Sequence, residues 1–80
     1  MDRSVRCSLL HTMDILKQNN KFMTIKELCA IVGYRMNKFI DRRGMYANIK
    51  ALIEFHYPIQ IEVRRSNERA YKWDTDILDS

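Results

Sequence analysis

Guanidinium groups are the side chains here best placed to do chemistry, and that chemistry is recognition. Arg42 and Arg43 directly follow Asp41, while Arg64, Arg65 and Arg69 bracket the turn-like Ser66-Asn67-Glu68. A guanidinium offers a rigid fork of N–H donors that matches phosphate oxygens and the edge of guanine. Two arginines at a helix start oppose the positive end of the helix dipole, and an anionic partner there would explain them. The plainer account is a solvated cationic surface with no partner. Around these arginines stand Thr24, Lys26, Tyr46, Ala47, Asn48 and Lys50. Thr24 and Lys26 are placed for phosphate contacts, and Asn48 suits adenine wherever it faces outward.

The balance of charge agrees with an anionic partner. The 80 residues carry +4, with a pI near 9.3. Three of the acids, Asp74, Asp76 and Asp79, fall in the last seven residues; without them residues 1–73 hold +7. A basic body makes a polyanion the first partner to consider. The hydrophobic fraction of 46% supports one small core, and two glycines and one proline argue against a disordered segment.

Other chemistry is poorly provided for. Cys7 and Cys29 form no C-x-x-C pair, and His11 and His56 add no paired spacing, so free thiols and no metal site are expected. There is no glycine-rich phosphate loop, no nucleophile beside a histidine and no paired carboxylates in a plausible cleft. The reading is therefore a non-enzyme with no cofactor. Met1-Asp2-Arg3 opens no secretion signal and no apolar run reaches membrane-spanning length, which predicts a cytosolic protein.

Positioning falls to four elements. Val5, Leu9, Met13 and Leu16 make one face of a helix from Ser4 to Leu16. Lys21-Phe22-Met23 reads as a short extended connection. Thr24-Ile25-Lys26-Glu27 is a capping box, which predicts a second helix over about 25–32 that ends at Gly33. Asp41 then caps a third helix whose apolar stripe is Met45, Ile49, Leu52 and Ile53, ended by Pro58. Residues 34–40 form a long turn or an early start of that helix. Beyond the proline, Ile59, Ile61 and Val63 alternate with polar residues, and Tyr71 and Trp73 share a face. This predicts a β-hairpin with one side on the core. The expected fold is α+β: three helices plus a C-terminal β-hairpin over residues 1–74, then an acidic tail at 75–80.

That order is a winged helix, and two segments resemble a known family. "TIKELCAIVG" resembles the first helix of a helix-turn-helix. "NIKALIEFHYPIQIE" followed by "ERAYKWD" resembles the end of the recognition helix and the wing in DeoR-type and WYL-associated winged-helix regulators. The likeness covers about residues 5–73. Ile40-Asp41 takes the place of the family's V-S dipeptide, six residues from Tyr34 to Phe39 are extra, Ala47-Asn48 replaces an Arg-Asp pair, and Tyr57 replaces a glycine.

The resemblance implies sequence-specific binding of double-stranded DNA by a small stand-alone transcriptional regulator, in a phage or mobile-element setting. A recognition helix over about 41–55 would lie in the major groove, with the wing at 64–69 on adjacent backbone or minor groove. A homodimer on two half-sites is expected for useful affinity. The alternative is a protein-interaction module that uses Tyr34, Met36 and Phe39 of the 34–40 turn as its contact patch.

Overall fold

The capping box forms as its spacing requires. In the computed structural model, which describes residues 3–74 and side chains from Ser8 onward, the Thr24 hydroxyl accepts from the Glu27 N–H at 3.2 Å. The Glu27 carboxylate in turn accepts from the Thr24 N–H at 3.2 Å. The elements in chain order are α1 (Arg3–Asn19), β1 (Met23–Thr24), α2 (Ile25–Met36), α3 (Arg42–Glu54), β2 (Ile59–Val63), a short 3-10 turn (Arg65–Asn67) and β3 (Arg69–Trp73). The molecule is an α+β fold of three helices and one antiparallel sheet, with strand order β1-β3-β2. The expected tail at 75–80 lies outside the described residues.

Two boundaries differ from expectation. α1 runs on to Asn19, whose side-chain amide donates to the Ile15 carbonyl at 2.8 Å, and the chain then turns at Asn20, whose φ is 47°. α2 does not stop at Gly33. It continues through Met36 and ends at Asn37, which takes the left-handed conformation (φ 51°, ψ 49°) and donates its N–H to the Gly33 and Tyr34 carbonyls. Three of the seven residues at 34–40 are thus helix, as the end of α2 and not the start of α3. Gly33 has another use: a Cβ there would lie 2.8 Å from the Lys38 carbonyl oxygen, because the chain folds back against the helix, with the Lys38 N–H on the Gly33 carbonyl at 3.0 Å. α3 begins at Arg42 behind the expected cap, whose Oδ1 accepts from the Gly44 N–H at 2.8 Å. It ends at Glu54, four residues before Pro58, where His56 turns the chain at φ 65°.

Met23 and Thr24 do more than connect. They pair with Tyr71 and Ala70, which makes β3 the central strand. Ile15, Leu16, Met23, Ile25, Leu28, Val32, Met45, Ile49, Leu52, Tyr71 and Trp73 form one buried core. Of β2, only Ile59 packs against it. Ile61 and Val63 are exposed, because they lie beyond the reach of the helices, although they share a face with Tyr71 and Trp73. The expectation of a hairpin with its whole apolar side on the core is corrected to that extent. Arg35 ties the end of α2 to α1 by an ion pair to Asp14 at 3.0 Å and a hydrogen bond to Gln18 at 2.8 Å. No helix among the described residues is long and apolar enough to cross a membrane.

Candidate nucleic-acid interface

Five of the residues singled out in the sequence meet in one concavity. The start of α2 contributes Thr24 and Lys26, the start of α3 contributes Arg42 and Tyr46, and the hairpin contributes Arg69. The cavity is about 360 Å³, and Ile25, Ser66, Asn67 and Glu68 complete its lining. Three cations from three elements therefore line one depression, with Glu68 as the opposing charge. Such a surface can hold an anion chain that runs along it. The hairpin turn reaches this position through Ser66 and Asn67, both at positive φ (61° and 60°). Neither was expected as a lining residue; "SNE" signals a turn but not what the turn faces.

The remaining candidates are placed differently. On α3, the inward residues are Met45, Asn48, Ile49 and Leu52. At 100° per residue Arg43, Ala47 and Lys50 then fall on the opposite face, and all three are exposed. Ala47 also borders a second depression, lined by Ser8, residues 38–41, Gly44 and Asn48. Arg65 begins the 3-10 turn and is exposed, whereas Arg64 is paired with Glu62 at 3.0 Å.

Two expectations need correction. Asn48 does not face outward: it is 5% exposed, and its amide donates to the Ser8 hydroxyl at 2.7 Å and to the Thr12 hydroxyl at 3.3 Å. It locks α3 to α1. Thr24 lines the concavity, but its hydroxyl is committed to the capping box and is buried.

Second-rank groups support the walls. The Tyr71 phenol is pushed up by burial, with nearby Tyr46 adding to the effect and the charge and hydrogen bond of Arg69 opposing it. Burial also raises the Cys29 thiol; Asp41 adds to this and Arg42 opposes it. That thiol lies 3.5 Å from the Asp41 carbonyl oxygen, close behind the start of α3. No group of three or more metal-ligating side chains occurs among the described residues. The chain matches no protein-family model, no curated protein and no solved structure.

Proposed function

We propose that this chain is a winged-helix protein that binds double-stranded DNA, with α3 in the major groove and the hairpin as the wing. The carrying observation is the shared concavity: Lys26, Arg42 and Arg69 come from three separate elements and line a single depression. The element order and the β1-β3-β2 sheet are compatible with that fold. Arg43, Ala47 and Lys50 on the outer face of α3 are the base-facing candidates, and Tyr46 sits at their flank. Lys26, Arg42, Arg65 and Arg69 are assigned to phosphates. In this reading Arg64, paired with Glu62, supports the wing and does not touch the duplex. The role is that of a small transcriptional regulator acting on duplex DNA in the cytoplasm.

The test is a titration of labelled duplex against salt. Four phosphate contacts give a slope of about −3.6 in log affinity against log salt, or a loss of roughly 150-fold between 50 and 200 mM. A flat response, or no binding to any duplex at 50 mM salt, refutes the proposal.

One observation favours a second reading, a protein-docking module. Tyr34 and Phe39 are 88% and 87% exposed beside the α2–α3 turn. Duplex binding that survives Phe39→Ser unchanged assigns the function to the cationic face instead.

A further inference from the structure

β2 is the outer strand of the sheet, and nothing among the described residues pairs with its far edge. Which backbone groups face that edge follows from the ladder. The Arg64 N–H donates to the Glu68 carbonyl at 2.6 Å, and the Asp74 N–H to the Pro58 carbonyl at 2.8 Å. Between these ends Gln60 opposes Lys72 and Glu62 opposes Ala70. Antiparallel pairing alternates, so Gln60, Glu62 and Arg64 turn their backbones toward β3, and Ile59, Ile61 and Val63 turn theirs outward. The Ile59 N–H is already taken by the Tyr57 carbonyl at 2.9 Å. The open edge therefore presents the Ile59 carbonyl together with both groups of Ile61 and Val63. Their side chains, 50% and 64% exposed, form an apolar strip on one face.

We propose that this edge pairs antiparallel with the β2 edge of a second copy, about a two-fold axis at Ile61, to make one continuous six-stranded sheet. The occupant follows from the strand's complementarity to itself. In this register Ile61 opposes Ile61 of the second copy, Ile59 opposes Val63, and Gln60 opposes Glu62. Four backbone hydrogen bonds form: Ile61 N–H to Ile61 carbonyl in both directions, and Val63 N–H to Ile59 carbonyl in both directions. They draw only on groups the ladder leaves open, and the occupied Ile59 N–H is not needed. Moving the axis one residue toward the turn places Glu62 directly opposite Glu62, a like-charge pair that destabilises a sheet, and moving it the other way calls on the occupied Ile59 N–H. The edge lacks the devices that natural sheets use against such pairing: it holds no lysine, no proline and no bulge, and its Glu62 is neutralised by Arg64 at 3.0 Å. A strip of this size is well below the area of about 800 Å² per partner typical of stable complexes, so the pairing is weak and concentration-dependent.

Sedimentation velocity on the full chain, from about 5 to about 500 μM, tests this by mass action. The expected mass moves from 9.6 kDa toward twice that value across the series. Ile61→Pro should hold the chain at monomer mass throughout; its N–H faces away from β3, so proline removes no bond of the native sheet. Val63→Lys, a side-chain change at a 64% exposed position, should do the same without touching the backbone. A wild-type chain that stays monomeric throughout overturns the proposal. So does a dimer that survives both variants, including one lost only on Phe39→Ser, which would place the interface at the α2–α3 turn. Affinity for a duplex with one half-site is expected to be equal for wild type and Ile61→Pro, which changes no charge on the wing, so this inference and the DNA reading fail separately.

Discussion

Asn48→Ala removes a buried polar side chain that ties α3 to α1 inside the bundle. Two hydrogen bonds are lost, at 2.7 Å to Ser8 and 3.3 Å to Thr12. Each contributes about 0.5–1.5 kcal/mol net, and the longer one belongs at the weak end. The partners are not stranded. The Thr12 hydroxyl still donates to the Ser8 carbonyl at 2.8 Å, and Ser8 is only half-buried, so water can replace the amide there. The small void left behind adds to the loss, for a total of about 2 kcal/mol. For a domain of this size that is a drop of about 8–16 °C in melting temperature. Urea unfolding followed by circular dichroism reads the same change as a midpoint lower by about 2 M, at a slope of about 1 kcal/mol per M. Asn48→Asp sharpens the test. Burial favours the neutral acid, so its folded pKa is raised, and the variant must lose stability as pH rises from 5 to 8 while wild type holds steady. An Asn48→Ala protein within 0.5 kcal/mol of wild type refutes the lock between α1 and α3. A change in base preference without loss of stability would restore Asn48 to the outer face.

Gly33→Ala should destabilise by about 1 kcal/mol or more despite alanine's better helix propensity, because the new methyl meets the Lys38 carbonyl; a rise in melting temperature would refute this. Thr24→Ala should lose about 1 kcal/mol of stability through its cap yet leave duplex affinity unchanged under folded conditions, read by anisotropy. Arg43→Ala should alter which sequences are selected from a random duplex pool, whereas Arg65→Ala should weaken all of them alike and lower the salt slope by about 1. Cys29 and Tyr71 are both held protonated by burial. Their folded pKa values lie above the ordinary 9.0 and 10.0, so the stability each contributes is full below those values and falls as pH climbs through the shifted range. Melting temperature should drop between pH 8 and 10.5, less so in Cys29→Ser, and a flat profile counts against the burial of both groups.

Local devices were readable from the chain, and long-range ones were not. Thr24 with Glu27, and Asp41 with Gly44, are satisfied within three residues, so their spacing alone reveals them. Gly33 resembles a helix stop in the sequence, yet its value lies in the Lys38 carbonyl that returns against it, five positions on. Asn48 gives no local sign of burial, because a polar residue is expected to face water and its partners are 36 and 40 residues away on α1. β1 has two residues, too few for any alternation to register. On β2 alternation indicated which residues share a face, but not that helices would cover only Ile59. The concavity drew on the same limits. Its cations were evident one by one, and their meeting depends on where α2 and the hairpin turn are set against α3.

Trp73, the chain's single indole, gives this fold a built-in optical gauge. The ring lies at the junction of β3 with α1 and the loop before β2, where Tyr57 meets it at 5.5 Å between centroids and the Lys17 ammonium stands 4.9 Å over its face. It is 3% exposed, and its Nε1–H has no hydrogen-bond partner among the described residues, so its emission should be blue-shifted and sensitive to any entry of water. Any detachment of the hairpin from the helices must therefore change the colour of the protein's own fluorescence, with no dye attached. If the hairpin shifts when the cationic face is occupied, that movement can be followed in real time from this one residue.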